Sequence, residues 1–167
     1  MRHILLPILA LIFVSGCKKT SLPQNFTCRV STSTSSSVMT GNAKTLYDGS
    51  QFQVLMTGPN GESAALTWGQ INSASTIAGI NHTYTIPANA LPPFTLTGSF
   101  AAPYGSSTYT SGAGNNLGGT VTITQNTGLG GVISGTFSFN AINTSSYLTD
   151  TVYITQGTFT NVPVVSQ

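Results

Sequence analysis

Charge is what this sequence has least of. Of 167 residues only 5 are Lys or Arg and 3 are Asp or Glu, so charged residues make up 5%, against roughly 25% in an average soluble protein. The basic residues Arg2, Lys18, Lys19, Arg29 and Lys44 form no cluster able to neutralise a run of phosphates, which excludes nucleic acid as a partner. The acids Asp48, Glu62 and Asp150 are scattered and sit beside turn residues, a setting for turn and surface roles rather than for paired-carboxylate hydrolysis. Histidine is equally scarce, with His3 and His82 only. A Ser-His-Asp site would have to be built on His82, and no metal-ligand spacing is visible, so neither an enzyme nor a metal or other cofactor is expected. Gly128-Leu129-Gly130-Gly131 is followed by no lysine and is no phosphate loop. The apolar run Ile4 to Val14 is 11 residues long and contains Pro7, whereas a helix needs about 20 to cross a bilayer.

That short run has another use. Preceded by Arg2 and His3 and followed by Ser15 and Gly16, it reads as a signal peptide over residues 1–16. Val14-Ser15-Gly16-Cys17 resembles the lipobox of bacterial lipoproteins. The resemblance implies cleavage before Cys17 and acylation of its sulfur and amine, which is an anchor of more than one chain and therefore stable. Lys18 follows the cysteine, so the Asp of the inner-membrane retention signal is missing and the outer membrane is the expected address, on a side the sequence leaves open. Lys18 to Gln24 is polar, holds Pro23 and has no periodicity, so residues 17–24 read as acylated cysteine and tether, and residues 25–167 as one domain.

With Cys17 acylated, Cys28 is the remaining thiol, and no intramolecular disulfide is expected. Phe26, Cys28 and Val30 alternate with Thr27 and Arg29, which makes the thiol a small buried hydrophobe on a strand. Period two recurs through the chain. Phe52, Val54 and Met56 lead through Gly58-Pro59-Asn60-Gly61 into Ala64, Leu66 and Trp68, a hairpin. His82 to Ile86 alternates again, Pro92-Pro93 breaks the pattern, and Gly105 to Gly119 reads as a long loop holding a brief strand at Tyr109. Farther on, Ile133, Gly135, Phe137, Phe139 and Ala141 share one face while Ser134, Thr136, Ser138 and Asn140 share the other. Val152 and Ile154 continue into Phe159 only if a bulge at Gly157 shifts the phase. No run keeps an apolar i, i+3, i+4, i+7 stripe. The fold class is all-β, an antiparallel sandwich or a meander or barrel of about eight strands, with the sandwich preferred. Gly119-Thr120-Val121, Gly135-Thr136-Phe137 and Gly157-Thr158-Phe159 read as one turn chemistry used three times.

These same C-terminal segments, with Gly118 to Thr124, Ile133 to Phe139, Ile154 to Phe159 and Val162-Pro163-Val164, resemble small uncharacterised lipoproteins of Bacteroidota, a family defined as a domain of unknown function. The resemblance implies an anchored β-domain and carries no catalytic residue. The function expected is therefore a non-catalytic, lipid-anchored module of the cell envelope with a protein or glycan partner, its oligomeric state open. Aromatic side chains offer the alternative of a glycan or peptide binder, since rings provide flat platforms. Tyr104 borders the expected loop and Tyr109 falls in it, and Trp68 is the single tryptophan; these three are the candidate ligand contacts, and Cys17 is the lipidation site.

Overall fold

The computed structural model describes residues 23–48, 50–69, 82–87, 96–103, 107–112, 117–143 and 150–166. The leader, Cys17, Tyr104 and the Pro92-Pro93 break lie outside them. Ten strands are formed: β1 (Phe26–Ser31), β2 (Ser36–Tyr47), β3 (Phe52–Thr57), β4 (Ser63–Trp68), β5 (His82–Ile86), β6 (Leu96–Ala101), β7 (Thr108–Ser111), β8 (Gly119–Asn126), β9 (Val132–Asn143) and β10 (Thr151–Pro163). All pair antiparallel. The Thr, Val, Ile and Phe content of these runs favours the pleated, half-buried surface that a strand offers.

The sheet closes on itself. Its order is β10-β1-β2-β3-β4-β6-β7-β9-β8-β5, with β10 also paired to β9, so eight strands form a barrel and β8 and β5 extend outside the ring. The sandwich preferred from the sequence gives way to this barrel. Alternation marks one buried face in either architecture, and what separates them is whether the first and last strands pair. Here Phe26 faces Phe159 and Ser31 faces Tyr153. β9 serves three neighbours: Val132 to Ile142 face β10, Ile142 and Asn143 face β7, and Ile133 to Phe139 face β8.

β10 can serve β1 and β9 together because it bends twice. Its register slips against β9 between Ile154 and Gly157 and again between Phe159 and Val162, and the extra residues Gln156 and Asn161 have φ of 52° and 51°. Bulges of this kind coil a strand tightly enough to close a sheet. Both bulges are held, the first through its side chain, with Arg29 Nε donating to Gln156 Oε1 at 3.4 Å, and the second through its backbone, with the Asn161 N–H donating to Ser134 Oγ at 2.9 Å.

The interior is solid. Phe52, Phe139, Phe159, Met56, Leu66, Ile123 and Ile154 are among its fully buried side chains. Three phenylalanines are seated on glycines: a Cβ on Gly157 would meet the Phe137 ring at 2.6 Å, one on Gly135 the Phe159 ring at 2.7 Å, and one on Gly98 the Phe139 ring at 2.8 Å. Gly135-Thr136-Phe137 and Gly157-Thr158-Phe159 are therefore not turns. They are opposed in mid-strand, Gly157 against Phe137, Thr158 against Thr136 and Phe159 against Gly135, each glycine making room for the ring across from it. Because the apolar residues point inward and Thr, Ser and Asn point outward, the barrel has the reverse of a membrane-spanning wall, whose lipid face is apolar.

Candidate functional site

A filled barrel leaves its outer wall and its ends to meet other molecules. On the wall, the register aligns one threonine from each of six consecutive strands: Thr40, Thr27, Thr158, Thr136, Thr122 and Thr83 on β2, β1, β10, β9, β8 and β5. A shorter row of Ser138, Thr120 and Thr85 runs beside it. Neighbouring hydroxyls bond each other, Thr83 to Thr122 at 2.9 Å and Thr120 to Ser138 at 3.3 Å, and cross-strand pairs of this sort stabilise a sheet by about 0.2–1 kcal/mol each. The rows present hydroxyls and methyls without charge. They form a curved band rather than a plate, since eight strands close a ring by turning roughly 45° per strand.

A second feature crosses the wall. Trp68, at the end of β4, lies opposite Phe52 and Leu96 and is 5% exposed. Its ring centroid is 5.8 Å from that of Phe52 and 6.0 Å from that of Tyr84, and Tyr84 lies 4.5 Å from His82. His82 is exposed, Tyr84 half-buried and Trp68 buried, so the four rings step from solvent to core. Burial raises the Tyr84 phenol above its ordinary value. Trp68 Nε1 is buried without a hydrogen-bond partner, the one such side-chain atom among the described residues. An orphaned buried donor costs about 1–3 kcal/mol. Trp68→Phe, which removes that donor along with some ring area, is therefore expected to shift the unfolding free energy by less than about 1 kcal/mol in urea titration. A loss above about 3 kcal/mol would mean that the void left by the smaller ring outweighs the relief of the orphaned donor.

The remaining sequence candidates part ways. Tyr109 does lie in a short strand, but its ring is in the core beside Phe100, at 5.9 Å between centroids. Its hydroxyl donates to Asp150 Oδ2 at 2.8 Å, and burial, followed by this carboxylate, raises its pKa. A covered ring is no platform. Tyr104 and Cys17 fall outside the described residues. The His82–Tyr84–Trp68 steps were not read from the sequence as one unit, although Ala64, Leu66 and Trp68 shared an inward phase that already pointed Trp68 to the core.

Each acid holds local structure. Asp48 Oδ1 accepts from the backbone N–H groups of Ser50 and Gln51 at 2.9 and 2.8 Å, and these bonds, that to Gln51 foremost, lower its pKa. Glu62 Oε2 accepts from the Asn60 N–H at 2.9 Å. No group of three His, Cys, Asp or Glu side chains able to hold a metal occurs among the described residues.

Cys28 is a free, buried thiol, and desolvation pushes its pKa from 9.0 to about 11. The folded state thus keeps a proton that the unfolded chain gives up. Stability is expected to fall as pH rises from about 9 to about 11, by on the order of 2–3 kcal/mol, and excess iodoacetamide at pH 8 is expected to label Cys28 only after urea unfolding. Rapid labelling of the folded protein would show that the thiol is reached from solvent.

Clefts gather where the chain joins the barrel. One of about 500 Å³ lies between Pro23, Gln24, Asn42, Thr57 and Pro59, and one of about 520 Å³ between Pro23, Asn25, Asn42, Thr160 and Pro163. Both are open grooves flanking the segment that precedes β1, which is held by Asn25 Nδ2 donating to the Ala43 carbonyl at 3.2 Å and the Thr160 N–H donating to the Asn25 carbonyl at 2.8 Å.

Residues 70–163, from just beyond β4 to the end of β10, match the family model described as a domain of unknown function, DUF6252. No curated protein and no solved structure matches the chain.

Proposed function

We propose, from the premise that this chain belongs to the DUF6252 family, that it is a lipid-anchored, non-catalytic β-barrel of the bacterial cell envelope, a binding or structural module working through its outer surface. One observation carries the reading: the lumen is occupied by Phe137, Phe139, Phe159 and Met56, so a partner meets the wall or the ends of the barrel rather than its interior. The Val14-Ser15-Gly16-Cys17 motif supports the anchor, and Lys18 after the cysteine supports the outer membrane. Crosslinking and pull-down from native envelope, with a tag placed after Gln167, tests it. Expected are membrane retention that Cys17→Ser abolishes and recovery of a stoichiometric envelope partner. Turnover of envelope glycans or esters by pure protein, abolished by His82→Ala, would overturn it.

The second reading is a glycan or peptide binder. It is favoured by the adjoining rings of exposed His82 and half-buried Tyr84, because a sugar offers C–H faces that stack on such rings. Trp68 is the only tryptophan, so its fluorescence reports directly on this spot. A blue shift or quenching with a glycan, lost in Tyr84→Ala, supports the reading, and an unchanged spectrum across a broad glycan set sinks it.

A further inference from the structure

The turn joining β8 to β9 carries an exposed leucine on a fixed base. Leu129 is 58% exposed, and the glycines on either side, Gly128 and Gly130, have φ of 82° and 80°. The turn is closed by Gly131 N–H donating to the Gly128 carbonyl at 3.0 Å. It is also stitched to the C-terminal segment: the Gly130 N–H donates to the Val164 carbonyl and the Val164 N–H to the Gly131 carbonyl, both at 2.9 Å. Val165, 48% exposed, stands beside it, and the two side chains flank one shallow hollow. Val165 is fixed in turn, since its N–H donates to Thr45 Oγ1 at 3.1 Å while that hydroxyl donates to the Pro163 carbonyl at 2.8 Å. Single exposed apolar residues are ordinary. Two held side by side in solvent at one end of the barrel form a built feature; the other exposed large apolar side chains, Val38 and Tyr153, lie on β2 and β10 toward the opposite end.

Its place in the molecule says what covers it. The end of β10 that leads into Val165 also borders the groove beside Pro23 and Asn25, so the chain joins the barrel at this same end. From Cys17 to Pro23 is six residues, which span at most about 20 Å when fully extended. We propose that Leu129 and Val165 are the membrane-contacting tip of the anchored barrel, seated in the boundary between headgroups and acyl chains. The proposal rests on acylation of Cys17. It names a lipid surface as the occupant and gives the barrel one orientation, with the far end of β1, where Ser31 faces Tyr153, turned away from the bilayer.

The test uses the full acylated chain in phosphatidylethanolamine–phosphatidylglycerol vesicles that carry a nitroxide-labelled lipid as quencher. A fluorophore is placed at Leu129→Cys or, as control, at Tyr153→Cys; both positions are exposed, so the fold is kept. Expected is co-flotation with the vesicles and quenching at position 129 at least threefold stronger than at 153, the difference collapsing when Val165→Ser is added. Co-flotation with equal quenching at the two positions overturns the membrane tip and leaves the anchor standing. Failure to float, with a mass lacking acyl chains, overturns the anchor and the tip with it.

Discussion

Phe139→Ala is expected to lower the unfolding free energy by about 3–5 kcal/mol, a large part of the 5–15 kcal/mol typical of a domain. The ring is 1% exposed. It hangs from β9 over Gly98 of β6 and so spans the interior. Gly98 has no side chain to swing into the space left behind. The void therefore persists, and the cavity penalty adds to the lost transfer energy. Urea unfolding with an unchanged slope is the measurement; a loss under about 1.5 kcal/mol would show that the surrounding strands collapse around the gap.

Gly157→Ala is expected to cost about 2–3 kcal/mol, more than an added methyl usually costs in a strand, because the new Cβ would lie 2.6 Å from three atoms of the Phe137 ring. Gly157 is not among the residues of positive φ, so the loss comes from the ring and not from the backbone. That assignment has its own check. In Gly157→Ala/Phe137→Leu the smaller side chain relieves the clash, and the double mutant is expected to lose less than the sum of the singles by at least about 1 kcal/mol. Strict additivity would move the blame to the bulge itself.

What could be read from the sequence was what one strand says about itself. The hairpin from Phe52 to Trp68, the two-faced strand from Ile133, the strand at Tyr109 and the phase shift at Gly157 all lay in local alternation, and all are present. β2 was missed because its inward positions are Met39, Gly41, Ala43 and Thr45, three of them too small or too polar to stand out against their neighbours. Closure into a barrel had no local signature, since it depends on β1 meeting β10. The glycine-threonine steps were seen but read as turns, because a glycine that accommodates a ring on another strand looks, in one dimension, like a glycine that bends its own. At the candidate site the limit was of the same kind. Residue type made Trp68 and Tyr109 eligible for binding, and only their neighbours, Tyr84 with its raised phenol and Asp150 accepting from Tyr109, show that one is the inner step of a path to solvent and the other a covered ring.

The seam between β1 and β10 also sets the order in which the molecule can be made. Arg29 and Gln156, which meet across it, are 127 positions apart, so the first strand to be synthesised is completed by the last. Until β10 is present, β1 and β9 each keep an open edge, and such edges are templates for pairing with another chain. Assembly dominated by contacts this distant is slow. A chain cut before Thr151 would therefore lose more than one strand's worth of contacts: it would be an open ribbon with two adhesive margins, prone to join copies of itself end to end.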